Sequence, residues 1–228
     1  MQIYKKIRYI FIFTQFALGL IILFILFLTT NSQEKLRNLR QKFSKIQRHM
    51  FGYKIQIIGK IEDANMIIMN HQSMLDIMAL EDFYPKNLVW IAKQELEKIP
   101  FFGSIMKKAK FIFINRKDPK ELVKLLKQAK ERVQEDRVLA IFPEGTRSKN
   151  EKLLKFQSGA KIIAQKLNLK VQPILIVDSA KIIDTQNFSS NKGTLKIICM
   201  DLVDLNDEKW LENTRAKMQK LLDKERNA

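Results

Sequence analysis

Hydrophobic patterning changes character twice along the chain. From Tyr9 to Leu28 the residues are almost continuously apolar, interrupted mainly by Thr14 and Gln15. A run of this kind is about the ~20 residues a helix needs to cross the hydrocarbon of a bilayer. From Asn31 to Phe51 the pattern becomes periodic, with Leu36, Leu39, Phe43, Ile46 and Met50 at three-and-four spacing and Lys35, Arg37, Arg40, Lys42, Lys45 and Arg48 between them. That phase predicts a basic amphipathic helix, either packed on the rest of the protein or laid on an anionic lipid surface.

After Gly52 short β-rich runs alternate with helical stretches. Strands are expected over Lys54–Ile58, Met66–Met69, Leu88–Ile91, Phe111–Ile114, Val138–Phe142, Val171–Val177 and Thr194–Met200. Helices are expected over Met74–Phe83, Pro119–Gln134, Ser158–Leu167 and Asp207–Lys224. The alternation predicts an α/β fold: a mixed, largely buried sheet flanked by helices, behind an N-terminal membrane-associated helical segment. The expected organisation is 1–51 as anchoring helices and 52–228 as one globular domain, with Ser189 to Gly193 read as a turn.

Composition sharpens this picture in two respects. Hydrophobic residues are 46% and charged residues 29% of the 228, which excludes a disordered chain. Lys and Arg number 41 against 24 acids, a formal charge of +17, so the surface is drawn to phosphates of nucleic acid or of anionic lipid. Lys5, Lys6 and Arg8 precede the apolar run and the larger cluster follows it; both flanks favour the cytoplasmic face. The run exceeds a usual signal-peptide core, and Leu28, Thr29, Thr30, Asn31 and Ser32 make a poor cleavage site. The single cysteine, Cys199, lies in the apolar run Leu195 to Met200 and reads as a buried thiol, so no disulfide framework or thiolate zinc site can form within the chain.

Candidate chemistry gathers at strand ends. His71 follows a strand in Met66-Ile-Ile-Met-Asn-His-Gln-Ser-Met-Leu-Asp76. Residues five apart on one helix point about 140° apart, so His71 can meet Asp76 only from a loop. Ser73 then caps the next helix, and Asp76, three residues on, faces back toward the imidazole. Asp76 would accept from one ring nitrogen and leave the other as a base for an alcohol. An ordinary capping box explains Ser73 and Asp76 equally well. Phe142-Pro-Glu-Gly-Thr-Arg-Ser148 follows another strand and combines a Pro and Gly turn with amides, a hydroxyl and a guanidinium, a set that can hold a phosphate. Arg116 closes the apolar strand Phe111-Ile-Phe-Ile-Asn-Arg116 at the same expected sheet edge.

Together these residues resemble the glycerolipid acyltransferase family typified by 1-acyl-sn-glycerol-3-phosphate acyltransferase. The resemblance runs from about Asn70 to Val177 in ordered blocks: Asn70, His71 and Asp76; Lys93, Leu96, Pro100 and Gly103 leading to Arg116; Phe142 to Ser148 with Phe156, Gly159 and Ala160; and Pro173. Where the family usually has Gly and Asp, this chain has Lys110 and Asn115. Lys110 either adds phosphate affinity or points to solvent.

The resemblance implies transfer of a fatty acyl group from acyl-CoA or acyl carrier protein to the sn-2 hydroxyl of lysophosphatidate, giving phosphatidate, without a cofactor or metal. His71 would be the base and Asp76 its partner. Arg116, Arg147, Gly145 and Thr146 would hold the acceptor phosphate, with Glu144 orienting an arginine. Membrane lipids are then expected partners and nucleic acid is not, and the catalytic domain is expected on the cytoplasmic side of the cytoplasmic membrane. Phe101 and Phe102, with the first helices, read either as an apolar entry or as ordinary packing. Two rivals remain at this level: an acyltransferase for another lysolipid or glycerophosphate, and a membrane-tethered nucleic-acid-binding protein indifferent to loss of His71.

Overall fold

The computed structural model describes residues 2–115, 121–148, 152–185 and 187–227. Its strands are β1 (Tyr53–Ile58), β2 (Met66–Met69), β3 (Leu88–Lys93), β4 (Ile112–Ile114), β5 (Val138–Ile141), β6 (Val171–Val177), β7 (Ile183–Asp184), β8 (Ser189–Ser190) and β9 (Gly193–Cys199). Its helices are α1 (Gln2–Leu28), α2 (Gln33–Phe51), α3 (Leu75–Phe83), α4 (Phe102–Lys108), α5 (Glu121–Gln134), α6 (Gly159–Lys166), α7 (Ser179–Ile182) and α8 (Trp210–Arg226). Pro119 and Lys120, where the sequence begins its third helix, lie outside the described residues.

Seven strands form one sheet in the order β1-β9-β6-β2-β5-β3-β4. The run from β6 through β2, β5 and β3 to β4 is parallel, while β9 is antiparallel to β6 and β1 is parallel to β9. Both faces are covered, which is why the central strands are apolar without alternation. Met66 and Ile68 enter the core beneath α5, α6 and α8, whereas Ile67 and Met69 enter the core beneath α1, α2 and α3. Because β2, β5 and β3 run side by side in one direction, the loops after them open at a common carboxyl edge, where such sheets place their ligands.

Ser189 to Gly193 is not a simple turn. Ser189 and Ser190 pair with Asp184 and Ile183 as a small antiparallel hairpin, and Gly193 already begins β9. Two-residue strands carry no readable period. The hairpin packs on the first helix: the Phe188 ring meets Tyr9 edge-on at 5.5 Å, and Arg8 donates to Ser190 Oγ at 2.5 Å.

The second helix is turned relative to its apolar stripe. Its buried positions are Leu36, Arg40, Ser44, Gln47 and Phe51, while Ile46 and Met50 stay exposed. Arg40 is paired with the domain, and Gln47 with Gln15 of α1. Arg40 donates to Glu81 Oε2 at 3.1 Å and to Asn87 Oδ1 at 2.9 Å, and Glu81 also accepts from Trp90 Nε1 at 2.8 Å. The apolar stripe is thereby left for α1 and for the outside. Helix α1 packs on the domain near its two ends and on α2 between them: after Tyr9 come Gln15, which donates to Gln47 of α2 at 2.7 Å, Phe16 beside Phe51 of α2 at 6.2 Å, and Phe24 beside Phe101 at 5.4 Å. Its opposite face leaves Ile3, Ile7, Ile10, Leu18, Ile25 and Leu28 exposed.

Candidate active site

The loop between β2 and α3 is fixed before any side chain acts. Asn70 ends the strand by imitating a peptide: its Nδ2 donates to the Ile176 carbonyl and its Oδ1 accepts from the Ile176 N–H, both at 2.8 Å. His71 is next, and its backbone is clamped to the turn after β5. Its N–H donates to Glu144 Oε1 at 2.7 Å, and its carbonyl accepts from the Ser148 N–H at 2.7 Å. Glu144 also accepts from the Leu154 N–H at 2.8 Å. Burial pushes the Glu144 carboxyl above its ordinary value, and these two amide donors oppose the shift. The sequence expectation that Glu144 orients an arginine is corrected accordingly: its two oxygens hold backbone amides.

Asp76 is fully buried in the first turn of α3. Its Oδ2 accepts from His71 Nδ1 at 2.8 Å, from the Gln72 N–H at 2.8 Å and from the Ser73 N–H at 2.9 Å. Only the carboxylate half of the expected capping box forms: Met74 stands at the N-cap with no side-chain cap bond, while Asp76 accepts from the Ser73 N–H and the histidine together. Ser73 Oγ accepts from the Leu75 N–H at 3.3 Å and donates to the Ile183 carbonyl at 2.8 Å, tying the loop to the hairpin. With an ionised carboxylate on Nδ1–H, the imidazole presents Nε2 with its lone pair. The ring stacks on Phe142 at 3.9 Å and 11°, and Phe142 stacks in turn on Trp90 at 5.3 Å. Phe142 opens a motif visible in the sequence, but its stacking on His71 and Trp90 is not, because the stack joins residues carried by three different strands.

His71 lines a cavity of about 580 Å³ whose walls come from α1, α2, α3, β3 and α4, among them Phe16, Leu20, Phe43, Met78 and Phe102. Gly145, Thr146 and Arg147 line the same cavity, so the structure brings the Phe142–Ser148 turn and the histidine together. Gly145 has φ of 75°, a left-handed conformation that the turn requires and that glycine adopts without strain. Lys93 also lines the cavity, as does Thr185 of the hairpin. A second cavity of about 480 Å³ lies across the turn, shares Ile91, Phe142, Gly145 and Thr146 with the first, and reaches Asn115 and the start of α6. Arg116 lies outside the described residues.

The remaining motif residues are scaffold. At Gly103 a Cβ would stand 2.1 Å from the Glu97 carbonyl oxygen, so only glycine lets α4 close on the preceding turn. Pro173 sits in β6 opposite Ile68, and its carbonyl accepts from the Met200 N–H at 3.0 Å. Lys110 takes a left-handed backbone, φ 55°, and its exposed amine faces Glu135 at 3.7 Å, away from the histidine. The phosphate reading of Lys110 is therefore set aside in favour of the solvent one. Phe102 lines the cavity, whereas Phe101 is exposed beside Phe24. Cys199 is buried, with its thiol pushed up to about 11, and is no nucleophile.

Fold and site together define an α/β enzyme that holds a histidine–carboxylate pair beside an apolar, lipid-sized cavity. The chain belongs to the acyltransferase family, whose profile matches residues 34–177. A 1-acyl-sn-glycerol-3-phosphate acyltransferase of Helicobacter pylori is 42% identical over 173 residues, covering 74% of this chain and 73% of that one. The enzyme of the same name from Saccharomyces cerevisiae is 30% identical over 67% of this chain, which spans 52% of the yeast protein's length. The crystal structure of the 1-acyl-sn-glycerophosphate acyltransferase PlsC from Thermotoga maritima has the same fold, with a TM-score of 0.76, 22% identity and coverage of 98% of this chain and 95% of that one.

Proposed function

We propose that the protein transfers a fatty acyl group from a thioester, acyl-CoA or acyl carrier protein, to the sn-2 hydroxyl of 1-acylglycerol-3-phosphate. The carrying observation is the 2.8 Å contact of His71 Nδ1 with Asp76, at a cavity that also holds Gly145, Thr146 and Arg147. His71 Nε2 removes the proton of the acceptor hydroxyl as its oxygen attacks the thioester carbonyl, and Asp76 stabilises the imidazolium that forms. Collapse of the tetrahedral intermediate breaks the carbon–sulfur bond, and the imidazolium returns its proton to the departing thiolate. No acyl-enzyme forms. Arg147, the Gly145–Thr146 turn and Arg116 take the acceptor phosphate, while the apolar walls take acyl chains.

The names of the relatives support this acceptor, and the apolar face of α1 supports membrane lipids as its source. The basic charge, which alone fits nucleic acid as well, is assigned here to lipid phosphates and to the cytoplasmic leaflet.

The test offers the purified protein a panel of lysolipids and glycerophosphate with coenzyme A and acyl carrier protein thioesters. Phosphatidate from lysophosphatidate is expected, and acylation of a different acceptor alone would replace the substrate assignment. His71→Ala should lower turnover on the order of 10²–10⁴-fold with an unchanged melting temperature. Arg147→Ala should raise the KM for the phosphate-bearing acceptor at least about tenfold.

A further inference from the structure

A groove remote from the histidine has the composition of a lipid site. It lies where the start of α1, the end of α2 and the first residues of β1 meet, and it shares no residue with the cavity at His71. One wall is apolar and exposed: Tyr4, Ile7 and Phe11 of α1, with Met50 of α2. The other carries Arg8, Arg48, Lys54 and Lys192, and no acidic side chain lines it. Arg48 is neutralised from behind by Asp82 at 2.6 Å. Among the described residues Arg8 donates to neutral acceptors, Ser190 Oγ and the Phe51 carbonyl. Among the described residues Lys54 and Lys192 have no carboxylate partner.

Three uncompensated cations beside an apolar wall are matched by a molecule that is anionic at one end and hydrocarbon at the other. The apolar wall is also continuous with the exposed stripe of α1, so a tail leaving the groove would run along that stripe into the surrounding lipid. A free phosphate would satisfy the cations and leave Tyr4, Ile7 and Phe11 in water. We propose that this groove binds one anionic phospholipid by its headgroup phosphate, at a site separate from the substrate cavity.

The test uses the full chain in neutral detergent and counts retained lipid by native mass spectrometry with phosphatidylglycerol or phosphatidylcholine added. One phosphatidylglycerol per chain is expected, with no phosphatidylcholine at the same concentration. Lys54→Gln with Lys192→Gln changes two exposed side chains that make no structural contact named above. It should weaken retention about 25-fold, at roughly fivefold per cation, and leave acyl transfer to detergent-dispersed acceptor unchanged. Lys42→Gln with Lys45→Gln removes the same charge from α2 outside the groove and should change retention little. Equal loss in both double variants would mean a diffuse basic surface and overturn the site. So would the absence of a stoichiometric lipid, or its displacement by inorganic phosphate at equal concentration.

Discussion

Asp76 receives three donors on one oxygen, and its other oxygen, Oδ1, is buried with no hydrogen-bond partner among the described residues. An asparagine can therefore keep all three acceptances through its carbonyl and place its NH2 where Oδ1 stands. Only the charge opposite the imidazolium is lost. Asp76→Asn should lower kcat on the order of 10²–10⁴-fold with little change in KM, read by steady-state acyl transfer. Glu144 behaves differently, because both of its oxygens accept from amides. Glu144→Gln turns one acceptor into a donor facing an N–H, and a loss of roughly 1–3 kcal/mol is expected, seen as a lower melting temperature together with a disordered His71 loop. The His71–Asp76 geometry was legible in the sequence because it depends on six consecutive positions, 71 to 76, and on a helix that begins just before Asp76. The roles of Glu144 and Phe142 were not, because each contacts the histidine only after separate strands have come together.

At the level of elements, helix α2 shows where periodicity fails. Hydropathy marks Leu39, Phe43, Ile46 and Met50, yet the residues turned inward include Arg40, Ser44 and Gln47. The hydropathy stripe packs on α1 or stays exposed, while the inward stripe sets Arg40, Ser44 and Gln47 between Leu36 and Phe51. Arg40 is the anchor of that stripe, and removing it leaves Glu81 buried with only the Trp90 N–H among the described residues. Arg40→Met should destabilise the fold by about 3–5 kcal/mol, measured by chemical unfolding in detergent. The long strands and helices were legible because their apolar runs are unbroken. The β7–β8 hairpin was not, since its strands are two residues each and its stability comes from packing on α1.

The whole molecule constrains how it meets the bilayer. A helix of 27 residues is about 40 Å long, enough to cross, and hydropathy alone leaves a crossing and a one-leaflet placement both open. Yet α1 touches the domain near its start and its end, and α2 along its middle. This packing predicts that α1 lies within one leaflet, with its outer stripe in lipid, rather than threading the bilayer. Lys5→Cys and Asn31→Cys should both react with an impermeant maleimide from the same side of sealed vesicles, and labelling from opposite sides would show a crossing instead. Cys199, buried and with its thiol held near 11, stays silent in that experiment.

The bond from Ser73 Oγ to the Ile183 carbonyl gives this placement a further meaning. Ile183 belongs to the hairpin that leans on α1 through Phe188 and Ser190, and Ser73 belongs to the loop that carries His71. The alignment of the base is thus referenced to the membrane helix by an unbroken line of contacts. A change that loosens Phe188 or Ser190 from α1 is therefore expected to reach the proton acceptor itself, although neither residue comes near the chemistry.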